Sequence, residues 1–175
     1  MVNRSSLYLL LAMVLACTGL VTPPTVRVAA AQAGSNACGL LTIDEIQPLT
    51  GIQQKVSEGV GSSLQSAGRM TCRYEWGTGA GRYILSVIVA DASTMFAGKS
   101  ADAIKQGLST PTAGTGSEAI PGLGDAAAFK SDSPFLATTS ALVKGRILQL
   151  NLDGYDARDK KGQVIALLKA ASAKL

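Results

Sequence analysis

No histidine occurs among the 175 residues, so the side chain most often used as a general base or metal ligand is missing. Gly-x-Ser-x-Gly is also absent, which removes the nucleophile elbow of the α/β-hydrolases. There is no internal repeat with convincing identity, and no stacked-repeat architecture is expected. Carboxylates are scattered. Asp153 and Asp156 flank Gly154-Tyr155 in a stretch that reads as a turn, where such residues are ordinary. Catalysis would therefore need a carboxylate pair assembled only in three dimensions, or an unrecognised Ser-Lys dyad. Neither a cofactor nor a metal is expected.

What is present begins with an export signal. Arg4 supplies a positive n-region, and Leu7 to Val14 with Ala16 form an apolar core too short to span a bilayer comfortably. Two processing sites compete within residues 1–31. Met13-Val14-Leu15-Ala16-Cys17 resembles a bacterial lipobox that would lipidate Cys17 and leave residues 18–37, with Pro23 and Pro24, as a flexible tether. Ala29-Ala30-Ala31 or Ala31-Gln32-Ala33 would instead release a soluble chain starting near Gln32 or Gly34. Removing everything up to Ala31 lowers the net charge from +4 to +2, with 14 basic and 12 acidic residues remaining. That near-neutral balance argues against a nucleic-acid partner. The rest, residues 38–175, fits one domain with a single core.

The organising stretch runs from Cys38 to Cys72. Thr42 and Glu45 form a capping box, and Leu41 with Ile46 form a hydrophobic staple, so a helix starts here and Gly51 is a plausible stop. Met70, Cys72, Tyr74 and Trp76 alternate with Thr71, Arg73 and Glu75, the period of a half-buried strand. An exported chain meets an oxidising environment, and a Cys38–Cys72 disulfide is expected, the alternative being two separately buried thiols.

After the strand through Cys72, Gly77 to Gly81 turns the chain into a second, almost continuously apolar strand from Tyr83 to Val89, placed inside the sheet. A second helix follows, capped by Asp91 or Ser93, with Ala97, Ala101, Ile104 and Leu108 as its stripe. Pro121 to Ala126 approaches a short strand at Ala127 to Lys130. Phe135 to Val143 and Arg146 to Leu152 flank a Lys144-Gly145 hairpin turn. Ala157 to Lys174 forms the last helix, burying Val164, Leu168, Ala171 and Leu175 and leaving Lys160, Lys161 and Lys169 wet. The order predicts an α+β domain: an antiparallel sheet with helices packed on one face, a two-layer sandwich with one disulfide.

Cys38-x-Leu40-Leu41-Thr42-x-x-Glu45, Gly51, Cys72 followed by an aromatic, Gly122-Leu123-Gly124-Asp125-Ala126 and the Lys144-Gly145 hairpin together resemble a group of small exported bacterial proteins and lipoproteins, the domain of unknown function family numbered 3558. The resemblance covers about residues 37 to 175. It implies residence in the cell envelope, often through a lipid anchor, and the disulfide; it brings no established chemistry.

Candidate sites are few. Gly77 to Gly81 is followed by a strand rather than a helix, which disqualifies it as a dinucleotide loop. Gly98-Lys99-Ser100 lacks the earlier glycine of a P-loop and reads as helix interior. Gly122, Gly124 and Asp125 form the most suggestive loop, because paired glycines permit positive φ and Asp125 can accept from a ligand as readily as from its own turn. Tyr74 and Trp76 are either core or the lining of a ligand surface. The expected function is a non-enzymatic binding or accessory domain of the cell envelope, either membrane-anchored through Cys17 or soluble. Its alternatives are a structural or protein-binding envelope component and a hydrolase with an assembled site.

Overall fold

The computed structural model describes residues 37–50, 57–58, 68–110 and 116–175. The export signal, Cys17, the tether, Gly51, most of the Gly/Ser-rich stretch before Cys72 and Pro111 lie outside the described residues. Seven antiparallel strands form one sheet: β1 (Ser57–Glu58), β2 (Arg69–Trp76), β3 (Tyr83–Asp91), β4 (Ser117–Ala119), β5 (Ala126–Ser133), β6 (Leu136–Val143) and β7 (Arg146–Asp153), in the spatial order β1-β2-β3-β7-β6-β5-β4. Among the described residues four α-helices accompany it: α1 (Ile43–Ile46), α2 (Ala92–Met95), α3 (Ala101–Ser109) and α4 (Lys161–Ser172). The α+β class and the interior position of β3 agree with the sequence reading. The edge strand β1 falls in the Gly/Ser-rich stretch from Lys55 to Gly68, which reads in sequence as a loop or weak strand, and β4 is an addition, too short to carry an alternating pattern. β5 is longer than expected because it continues past a register irregularity between Lys130 and Ser133.

Side-chain parity divides the sheet into two faces. Cys72, Tyr74, Leu85, Val87, Leu148, Leu150 and Leu152 point to one, where α1 and the Val164, Leu168 and Ala171 stripe of α4 close the main core. Leu142 and Ile147, which are register partners, point to the other and pack with Ala92 of α2 and Ile104 of α3. The helices are thus not all on one face: α2 and α3 cover one end of the opposite face. The expected single helix after β3 is two, because the chain turns at Phe96–Gly98 and restarts at Ser100, whose hydroxyl accepts from the Ala103 N–H at 3.2 Å. Gly98-Lys99-Ser100 is therefore a helix junction, and Ala97 and Ala101 are exposed rather than part of a stripe.

The start of the domain is held as the pattern requires. Glu45 N–H donates to Thr42 Oγ1 at 3.3 Å, and Thr42 N–H donates to Glu45 Oε2 at 2.7 Å. Leu41 and Ile46 are both buried. Lys174, at the other end of the chain, places its ammonium 2.8 Å from both Glu45 oxygens. The Lys174 hydrogen bond, with that of the Thr42 backbone, holds the Glu45 carboxyl below its usual pKa. A depressed folded-state pKa means that this small, mostly solvent-screened contribution is present above pH about 4.5 and is lost as the pH falls through the folded value. The Cys38–Cys72 disulfide is formed, with Cα atoms 4.9 Å apart. Lys144 (φ 51°) and Gly145 (φ 78°) both take positive φ, the requirement of a type I′ hairpin turn, so the two-residue connection is the one anticipated.

Two side chains of the main core, Trp76 and Thr139, carry a buried polar atom without a hydrogen-bond partner among the described residues. Thr139 of β6 is 0% exposed, and its hydroxyl has no hydrogen-bond partner among the described residues. An unsatisfied buried hydroxyl costs on the order of 1 kcal/mol or more, so Thr139→Val is expected to raise stability by about 1 kcal/mol, read as a higher urea midpoint with an unchanged slope. A lower midpoint would mean that the hydroxyl is satisfied in solution.

Candidate functional site

The loop between β4 and β5 is anchored by the buried Ile120 and Leu123 and by the Ile120 N–H, which donates to the Ala127 carbonyl at 2.8 Å. Gly124 (φ 58°) is required there twice over. A β-carbon would be strained by the positive φ and would collide with the Leu142 carbonyl oxygen, a backbone atom that cannot move aside. This close approach lets the Asp125 N–H donate to the same carbonyl at 2.8 Å, fixing the base of the Asp125 side chain over the end of β6. Asp125 lines two clefts. One, of about 380 Å³, runs beneath α2 and α3, with Ala92, Ile104 and Leu142 as apolar lining and Ser93 and Lys99 as polar lining. The other, of about 200 Å³, is bounded by Ser109 and the Pro121–Asp125 loop, including Gly122 and Gly124. The structure therefore brings Gly122, Gly124 and Asp125 together at a concave surface, and it adds Lys99 and Ser93 from the helix pair.

Tyr74 and Trp76 are elsewhere and do not line a ligand surface. Tyr74 is 1% exposed, and its hydroxyl lies 2.8 Å from the Leu41 carbonyl and 3.2 Å from that of Cys38, tying β2 to the approach to α1 beside the disulfide. Trp76 is 3% exposed and stacks on Tyr83, its register partner, with ring centroids 5.5 Å apart and planes 11° from parallel. The alternation that placed both rings on the disulfide face also commits them to the core.

The stack continues to the surface through residues that sequence reasoning did not single out. Tyr83 meets Tyr155 at 5.4 Å and a tilt of 56°. Its hydroxyl donates to the Asp156 carboxylate. Lys160 lies 5.3 Å from the Tyr83 ring centroid and 3.9 Å from Asp156, so it is held here rather than fully solvated as expected. Burial, then the Asp156 carboxylate, push the Tyr83 phenol well above the usual tyrosine range, which keeps it a neutral donor and makes it unsuited to act as a phenolate nucleophile. Tyr155 and Phe135 project into solvent, 57% and 61% exposed. The available sequence signal was an aromatic inside the Asp153–Asp156 turn, where a ring has little core to enter.

Beside this end, the face opposite the main core is left open by the described helices. Successive strands present Ser86, Asn151, Thr138 and Lys130 in one register row and Thr71, Ile88, Gln149 and Ser140 in the next. Gln149 donates to Asn151 at 2.9 Å along the face. Burial raises the Asp153 carboxyl above its usual range, against the opposing pull of Arg73. Comparison of the chain with family models, with curated proteins and with solved structures found no match, so these geometries are the ground on which its function is read.

Proposed function

We propose that the chain is an exported, non-enzymatic binding domain of the bacterial cell envelope, of the kind the family resemblance implies, with its ligand seated in the cleft of about 380 Å³ beneath α2 and α3. That cleft carries the reading. Its volume falls in the range of small-ligand sites, and an apolar lining with a few convergent polar groups, here Ser93, Lys99 and Asp125, is the usual composition of one. The non-catalytic part rests on the missing histidine, the absent Gly-x-Ser-x-Gly and the scattered carboxylates. Membrane attachment through Cys17 and release near Gln32 or Gly34 remain the two forms of export. The intact mass of the native N-terminus separates them.

The test of the cleft is a search by NMR, with the purified protein titrated against fractionated small molecules from the native envelope. Amide shifts should cluster at residues 92–104 and 142–145. Ala101→Trp, an exposed cleft position, should abolish them by filling the space without entering the core. Shifts that survive this substitution, or an absence of shifts from any fraction, would remove the cleft as the site.

A second reading, a protein-binding component, is favoured by one observation, the exposed Phe135 and Tyr155 at the far end of the sheet.

A further inference from the structure

We propose that the cleft of about 380 Å³ beneath α2 and α3 takes a small zwitterion with an apolar body, an apolar amino acid or its dipeptide. Lys99 holds the ligand's carboxylate and Asp125 its ammonium. The proposal rests on the reading of that cleft as the binding site and adds the class of ligand.

The two charges reach the cleft from different segments, each fixed by its own backbone. Lys99 stands at the junction of α2 and α3, where its N–H donates to the Phe96 carbonyl at 2.9 Å and the next residue, Ser100, caps α3. Asp125 stands on the loop between β4 and β5, where its N–H donates to the Leu142 carbonyl at 2.8 Å. The rest of the lining is mainly apolar. Ala92, Ile104 and Leu142 are buried in one cluster, and the Ala92 N–H donates to the Gly145 carbonyl at 3.0 Å, which ties the start of α2 to the β6–β7 turn. The walls are therefore joined before any ligand arrives, which lowers the ordering cost of binding.

Neither charge is matched within the protein. Among the described residues Lys99 and Asp125 have no ion-pair partner, and they do not pair with each other. The Lys99 ammonium lies 5.9 Å from the centroid of the Phe96 ring, near the outer reach of a cation–π attraction. Both side chains are exposed, so water serves them until a ligand covers the cleft. A ligand that displaces this water must supply a partner for each charge, because a charge covered without one loses its hydration and gains nothing in return. A purely apolar ligand would leave both uncompensated, a simple carboxylate would leave Asp125, and a simple amine would leave Lys99. A zwitterion matches both. The apolar cluster then receives the ligand's side chain, and the Ser93 hydroxyl is a further donor or acceptor for a peptide group. A volume near the lower end of small-molecule sites limits the ligand to about one or two residues.

The test titrates the ¹⁵N-labelled protein with L-leucine and with L-leucyl-L-leucine, which separate the free amino acid from the peptide, and with the N-acetylated and the C-amidated form of each. At least one zwitterion should shift amides in residues 92–104 and 142–145 with a dissociation constant of about 1 mM or tighter, and its capped forms should bind about tenfold more weakly. Lys99→Met should weaken that zwitterion about tenfold and leave its amidated form unchanged. Asp125→Asn should weaken it equally and leave the acetylated form unchanged. Local damage would instead weaken every form alike. The proposal is overturned by capped forms that bind as tightly as their parents, by substitutions that weaken all forms or none, or by a lack of shifts with both zwitterions at about 10 mM. If an envelope fraction then still shifts these amides and Ala101→Trp abolishes the shifts, the cleft stands and only the ligand class falls. If no fraction shifts them either, both fall.

Discussion

Replacing both Cys38 and Cys72 by alanine is expected to lower the unfolding free energy by about 4 kcal/mol. The two positions are 34 residues apart, and closing a loop of that length removes entropy from the unfolded chain of about this size. The native geometry has a second support, because the Tyr74 hydroxyl donates to the Leu41 carbonyl at 2.8 Å, with the Cys38 carbonyl 3.2 Å away. The folded state should therefore survive with its contacts in place, and the loss should come mainly through the unfolded ensemble. Urea denaturation distinguishes this from local damage: the midpoint should fall and the slope should rise, since an unbridged chain exposes more surface on unfolding. A loss below about 1 kcal/mol would show that the unfolded chain is already restricted in this segment. Double replacement avoids leaving a reactive thiol. With a net stability of about 5–15 kcal/mol typical of such domains, this one bond is a large share of it.

The legible parts of this fold share a local cause. The capping box at Thr42 and Glu45, the staple at Leu41 and Ile46, the turn at Lys144-Gly145 and the alternation in β2 and β7 are each written within a few consecutive residues. A short-range pattern can specify them without the rest of the chain. What escaped depends on partners far away in sequence. Leu142 and Ile147 alternate with the residues of the main core, and they are buried because α2 and α3 fold over that end of the opposite face, which no local pattern announces. The break at Phe96–Gly98 that allows this is a single glycine inside an apolar pattern, a feature that a helix interior also tolerates.

The candidate site divided in the same way. Gly122, Gly124 and Asp125 were recognised through turn chemistry, which is local. The need for a glycine at 124 comes from the Leu142 carbonyl, and the cleft exists only because Lys99 and Ser93 arrive from another segment. Tyr74 and Trp76 attracted attention as paired aromatics, but the pairing that matters is across strands, Trp76 with Tyr83 and Tyr83 with Tyr155. The aromatic system therefore runs from the core to the surface, and its exposed member is the one sequence reading placed in an ordinary turn.

Gly154→Ala tests that system directly. Gly154 does not have a positive φ, so alanine is conformationally allowed. Its methyl, however, would fall inside the van der Waals envelope of Cδ1 and Cε1 of Tyr83. That ring cannot step aside cheaply: Trp76 is stacked on it, Tyr155 packs against it, Lys160 lies over it, and Asp156 holds its hydroxyl. Overpacking of this kind costs about 3 kcal/mol, at the upper end for one added methyl. The cost should vanish when the ring is removed. In a double-mutant cycle with Tyr83→Leu, Gly154→Ala should be nearly neutral, giving a coupling energy close to the whole single-mutant effect. Additive effects would place the strain in the backbone of the 153–156 turn instead. The same displacement should shift the Tyr155 ring, so the single variant should also show altered amide resonances at Phe135, whose carbonyl accepts from Gly154. An unperturbed Phe135 in a destabilised Gly154→Ala protein would mean that the surface aromatics are not mechanically joined to the buried stack.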